Sequence, residues 1–242
     1  MKIIEKIRAR NQEPRQHRQP VIAFSGDSVT EGCFEVYTKA TGIIDTVYEP
    51  LEAYAEKVKS IFSQLYPRAN ITVVNAGISG SNAQVGLQRL EADVLSLHPD
   101  LTVVSYGLND FMQRQEGLNA YRDNLRGIFR ALREAGSEIL FLAPNMSADR
   151  LDYSIQDATL LPIARAIVEN VQAGWLDVYM DAAREVCREE NVPMCDCYSQ
   201  WKQLQANGVD ITSLLCNKLN HPARQMHWLF AWELVKKMFE EN

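Results

Sequence analysis

The chain lacks any apolar run of the roughly 20 residues that a bilayer span requires, so no membrane segment is expected. It also lacks an excess of positive charge. Twenty-five Lys and Arg face 31 Asp and Glu, a net charge of −6. That balance argues against nucleic acid and anionic membrane surfaces as main partners. Cysteine is sparse, with five residues at 33, 187, 195, 197 and 216. Their odd number and scattered spacing suggest no disulfide framework. Cys195-Asp196-Cys197 has no second ligand pair to complete a metal site. No metal or cofactor is therefore expected, and reduced thiols in a cytoplasmic protein are the simplest reading. Residues 1–19 show no apolar signal core, and are read as an N-terminal polar extension to one domain over residues 20–242. The phosphate-cradling patterns GxGxxG and GxxxxGK[ST] are missing, which speaks against a nucleotide or flavin domain.

Short, nearly continuous apolar runs alternate with longer helical ones. Strands are expected over residues 21–24, 71–75, 101–106, 138–142 and 192–197. Apolarity without strict alternation fits strands covered on both faces of a parallel sheet. Helical stretches are expected over 50–66, 82–97, 119–135 and 160–191, the last broken near Ala173-Gly174. A final helical pattern over 222–239 carries Met226, Leu229, Phe230, Leu234 and Met238. The alternation implies an α/β fold: a three-layer α/β/α sandwich around a parallel sheet of about five strands in flavodoxin-like order 2-1-3-4-5. Function in such sheets gathers at the C-terminal ends of the strands.

Three sharp turns follow the first three strands. They are Gly26-Asp27-Ser28, then Asn75-Ala76-Gly77-Ile78-Ser79-Gly80, then Gly107-Leu108-Asn109-Asp110. The assumed strand order brings them together, with Ser28 in the middle. A serine at an abrupt strand end is held on backbone and open to a substrate. Acyl transfer by serine also needs a base, oxyanion donors and a group that orients the base. His221, in Asn220-His221-Pro222, is the expected base. The N–H groups of Ser28 and Gly77 and the amide of Asn109 are the expected oxyanion donors, while Gly80 permits the following turn.

These blocks together resemble the SGNH hydrolase superfamily, the GDSL esterases and lipases. They fall in family order and span residues 26 to 222. The resemblance implies metal-free hydrolysis of carboxylic esters, with Ser28 as nucleophile. It also implies that Asp27 buttresses the nucleophile turn, with Asp110 beside it in support. The chain departs from the pattern at one place. An aspartate usually stands three residues before the histidine; here the position holds Lys218. Three accounts stay open: Asp210 folds back as the orienting acid, a backbone carbonyl orients His221, or the protein is a weakened or inactive relative.

The long connection over residues 29–48 follows the nucleophile directly and is a candidate wall of the acyl pocket. Phe111, Met112 and Met146 are candidates to line the same cleft. His227 is read as a surface or packing histidine. The expected activity is that of a serine esterase on small acyl esters, acetyl esters of carbohydrates first. A lysophospholipase or thioesterase and a non-catalytic binding relative are the alternatives. The expected partner is a small-molecule ester substrate, with no nucleic acid and no membrane, and a homo-oligomer is left open.

Overall fold

The computed structural model describes residues 1–240. In chain order the elements begin with α1 (Lys2–Gln12), β1 (Val21–Gly26), α2 (Ser28–Glu31), β2 (Cys33–Thr38) and β3 (Ile44–Tyr48). Next come α3 (Tyr54–Leu65), β4 (Thr72–Gly77), α4 (Ala83–Asp93), β5 (Leu101–Ser105), α5 (Arg114–Glu134) and β6 (Glu138–Ala143). The chain continues through α6 (Leu160–Gln172), α7 (Trp175–Glu189), β7 (Met194–Asp196), α8 (Cys197–Ala206) and α9 (His227–Glu240).

Five strands pair in parallel in the order β4-β1-β5-β6-β7. Counting only these strands along the chain, the order is 2-1-3-4-5, as expected. The central strands are buried almost throughout, which is why their sequences read as unbroken apolar runs. One layer holds α3 packed on α9, with α1 and α8 also against α9; α4, α5, α7 and α6 pack in succession in the other. The result is a three-layer α/β/α sandwich.

Three features differ from expectation. Residues 2–12 are not a polar extension: they form α1, with Ile3, Ile4 and Ile7 in the core. The N–H groups of Lys2 and Ile3 donate to the Glu138 carboxylate at 2.8 and 2.6 Å, so a strand residue 135 or more positions away closes the helix start. Three isoleucines among seven charged or polar residues of the same helix are a weak local signal, and only packing on the sheet reveals their face. Secondly, β7 is short because Asp196 caps α8 by accepting from the Ser199 N–H at 3.0 Å, so Cys197 begins a helix. Thirdly, the connection over residues 29–48 contains the antiparallel β2–β3 hairpin, outside the main sheet.

Candidate active site

The turn that carries Ser28 is built locally. β1 ends at Gly26, and Asp27 caps the four-residue α2 by accepting from the Val29 N–H at 3.0 Å. Ser28 is the first residue of α2, where its own N–H has no preceding helical carbonyl to bond. The Ser28 hydroxyl lies 2.9 Å from His221 Nε2. The other ring nitrogen, Nδ1, lies 2.7 Å from the Phe34 carbonyl oxygen. A carbonyl can only accept, so Nδ1 carries the proton. Nε2 is thereby left as the acceptor of the Ser28 proton. Burial holds the His221 pKa below the usual histidine range, partly offset by the Phe34 carbonyl and the nearby Glu35 charge. The neutral, proton-accepting form is therefore the resting state at neutral pH.

His221 is fixed through a turn centred on Asn217. The Asn217 Oδ1 accepts from the N–H groups of Leu219, Asn220 and His221 at 2.9, 3.0 and 2.9 Å. Lys218 adopts a left-handed backbone with φ of 58° and sends its ammonium to the Ser213 carbonyl at 3.1 Å. The residue in the usual aspartate place thus points away from the imidazole.

Asp210 does not fold back either. It pairs with Arg150, with Arg150 Nε 3.2 Å from Oδ1, and accepts from the Ser213 N–H at 3.2 Å. The arginine holds this exposed carboxyl below the usual range. The orienting acid expected at Asp210 is therefore replaced by a main-chain carbonyl from β2, one of the three accounts above.

The expected donor Gly77 is engaged within its own turn. The Gly77 N–H is occupied by Asn75 Oδ1 at 3.0 Å. A Cβ at Gly77 would lie 2.3 Å from the backbone nitrogen of Glu31. Gly77 is therefore the point where β4 meets α2, an arrangement completed by Asn75 Nδ2 donating to the Thr30 carbonyl at 2.8 Å. Gly80, three residues on, lines the cleft beside Ser28, Asn109 and His221. Its φ of 76° is in the region that favours glycine, and no bond occupies its N–H among the described residues. The signal was present, since NxGxxG contains both glycines. Telling them apart requires knowing which one a helix covers.

Asn109 caps no helix with its side chain. Its amide donates to the Ser81 carbonyl at 2.8 Å, which fixes the side chain and leaves a second N–H available to the cleft. Asp110 accepts from the Ala83 N–H at 2.9 Å and holds the start of α4. Burial raises the Asp27 carboxyl to about 7 and that of Asp110 to about 6. Both serve as struts of the turns around the cleft.

The cleft encloses about 350 Å³. Val36, Ile44 and Thr46 form its hairpin wall, and Leu160, Ile163 and Ile167 of α6 face them. Of the three residues expected to line it, Met112 does. Phe111 and Met146 are instead buried in the core. His227 is a packing residue: its Nδ1 accepts from the Tyr54 N–H at 3.1 Å, and burial lowers its pKa to about 3. Sequence reasoning missed Phe34, because any residue supplies a carbonyl and side-chain identity carries no trace of that role.

Ser28 Oγ beside His221 Nε2 and N–H groups of Ser28, Gly80 and Asn109 that carry no partner among the described residues therefore meet in one cleft, the set that a general-base-assisted nucleophile with an anion-stabilising pocket requires. Among the described residues, no helix is long and apolar enough to cross a membrane. Comparison with known proteins agrees with the architecture. The GDSL-like Lipase/Acylhydrolase family profile matches residues 24–229. An acetylxylan esterase of Geobacillus stearothermophilus is 28% identical over 132 residues, covering 51% of this chain and 58% of that protein. Among solved structures, a two-domain esterase active on acetylated mannans is similar over 98% of this chain and 52% of its own, with a TM-score of 0.67 and 20% identity. The structure of Axe2, an acetylxylan esterase from Geobacillus stearothermophilus, is similar over 90% of this chain and 94% of its own. Its TM-score is 0.65 at 20% identity. This chain thus spans little more than half the length of the first two.

Proposed function

The chain belongs to the GDSL-like lipase/acylhydrolase family, and from that membership and the site geometry we propose that it is a serine esterase removing small acyl groups, acetyl first, from carbohydrate esters. The observation that carries the reading is the 2.9 Å contact between Ser28 Oγ and His221 Nε2, with a proton-bearing Nδ1 on the far side of the ring.

In this reading His221 Nε2 takes the hydroxyl proton as Ser28 Oγ attacks the ester carbonyl. The developing oxyanion accepts hydrogen bonds from the N–H groups of Ser28 and Gly80 and from Asn109 Nδ2. Each such donor is typically worth about 3 kcal/mol of barrier. His221 then returns the proton to the leaving alcohol, and an acyl-Ser28 remains. Water then attacks the acyl carbon while giving a proton to the same nitrogen, and that proton passes to Ser28 Oγ as the bond to the acyl group breaks and the acid leaves. The Phe34 carbonyl fixes the tautomer throughout, but a neutral acceptor stabilises the imidazolium less than a carboxylate would.

The acetyl and carbohydrate part of the reading leans on the relatives, whose names refer to acetylated xylan and acetylated mannans. A second reading draws support from the cleft. Val36, Ile44, Met112, Leu160 and Ile163 make a largely apolar wall around more space than an acetyl group fills, which suits a longer acyl chain. Hydrolysis of p-nitrophenyl esters from acetate to palmitate, with Ser28→Ala alongside, separates the two. Serine-dependent turnover that falls with chain length supports the acetyl esterase. A maximum at eight carbons or more transfers the assignment to a lysophospholipase or thioesterase. Absence of turnover at every length in folded protein favours the non-catalytic relative.

A further inference from the structure

The Phe34 carbonyl that orients His221 sits in an irregular stretch of a two-stranded ribbon. Cys33 pairs with Tyr48, while Val36 pairs with Thr46, so β2 carries one extra residue across Phe34 and Glu35. Such a bulge interrupts the ladder and re-aims the local main chain. Here one carbonyl points out of the hairpin at His221 Nδ1. An isolated two-stranded hairpin is marginally stable at best. A carbonyl on such a ribbon needs anchoring if it is to hold a catalytic imidazole.

Arg224 supplies that anchor from three residues beyond His221. Its NH1 and NH2 groups donate to the two oxygens of Glu35 at 2.7 and 2.9 Å, a bidentate pair. Its Nε donates to Glu49 at 2.6 Å, just past the end of β3. The guanidinium therefore ties both sides of the hairpin to the segment that carries the base. It also lies over the Phe34 ring, 4.3 Å from the centroid, and that ring contacts His227 at 5.1 Å. Phe34 is fully buried between these neighbours. One cation against two carboxylates leaves a net charge of −1 in the cluster, and Glu35 is the carboxylate whose charge acts on the imidazole. The arginine holds both carboxyls below their usual range, so both stay ionised at neutral pH.

We propose that the Arg224–Glu35–Glu49 cluster is a positioning clamp that holds the Phe34 carbonyl on His221 and supplies the negative charge normally provided by an orienting aspartate. The clamp rests on the reading of Ser28 and His221 as the catalytic pair. The titratable and charged groups around His221 are Glu35 on the hairpin, Cys216 and Arg224 on its own segment, and His227 on α9. Burial lowers the His227 pKa to about 3 and raises the Cys216 thiol to about 12, so neither is charged at neutral pH. Glu35 and Arg224 therefore dominate the field.

The test follows the His221 tautomer and titration by long-range ¹H–¹⁵N correlation, together with p-nitrophenyl acetate kinetics and melting temperature. Glu35→Gln keeps the shape and removes the charge. It should lower the His221 pKa, move the acid limb of the kcat/KM profile to lower pH, and reduce kcat about tenfold with KM nearly unchanged. Arg224→Ala leaves Glu35 uncompensated and the hairpin untied. It should raise the His221 pKa, weaken the Nδ1–H preference and reduce kcat by about tenfold or more, with partial recovery in Arg224→Lys. Shifts of opposite sign in the two variants are the signature that a merely structural role would not produce. If both variants melt like the parent and leave the His221 tautomer and titration unchanged, the clamp is refuted. The resonance measurement needs no turnover, so failure of the esterase reading registers separately, as Ser28-independent or absent hydrolysis.

Discussion

Ser28 stands at the end of a central parallel strand, whereas His221 stands in a loop 193 residues away. The serine side is made by short-range structure. β1 is paired on both edges, and Asp27 caps the next turn from one residue away. The histidine side is made by parts that do not belong to the sheet. Asn217 shapes the turn, Asn145 Nδ2 donates to the Asn220 carbonyl at 2.8 Å, and a hairpin bulge supplies the partner of the ring. A sheet end tolerates little variation, because each residue is fixed by two neighbouring strands. A loop base can exchange its orienting group, because all that chemistry requires is an acceptor at Nδ1 and some negative charge nearby. This explains how Lys218 can occupy the usual aspartate position while the serine contact is kept.

That contrast can be tested in decreasing order of effect. Ser28→Ala should lower kcat by up to about 10⁶-fold, with an unchanged melting temperature. Residual turnover above a few per cent would move the nucleophile elsewhere. Asn109→Ala should lower kcat by about 10²–10³ with little change in KM; an unaltered kcat would remove its amide from the oxyanion pocket.

The two glycines should part company. Gly80→Ala meets open space but a left-handed backbone, and should reduce turnover more than stability. Gly77→Ala drives a methyl into the α2 backbone and should lower the melting temperature first. The reverse pattern would restore Gly77 as the donor.

A fourth expectation concerns pH. The Asp27 carboxyl is raised by burial to about 7, so the folded chain binds this proton more tightly than the unfolded one. Stability from this group is full below the ordinary aspartate range and is lost as pH rises toward 7. Asp27→Asn keeps an oxygen to cap Val29 and should flatten the fall in urea-measured stability between about pH 4 and 7. An identical slope in the variant would assign the effect to other carboxyls, Asp110 first.

The smallest effect is reserved for Asp210→Asn. Because this residue pairs with Arg150 on the surface, kcat should stay within about twofold. A loss of tenfold or more would bring the carboxylate back to the imidazole.

Local pattern alone determined much of this molecule. The apolar runs dictated the covered central strands, because positions buried on both faces of a sheet are mostly filled by apolar side chains. The turn residues marked where the strands stop, and Asp27 and Ser28 interact within a few positions of one another. Tertiary structure decided the rest. Ile3, Ile4 and Ile7 became core only when α1 docked. Gly77 was closed off and Gly80 left facing the cleft only when α2 packed on β4. The partner of His221 is a carbonyl 187 residues distant. A backbone acceptor has no sequence signature, since all residues carry one, and its direction is set by a bulge and a clamp that exist only once the hairpin meets the C-terminal loop.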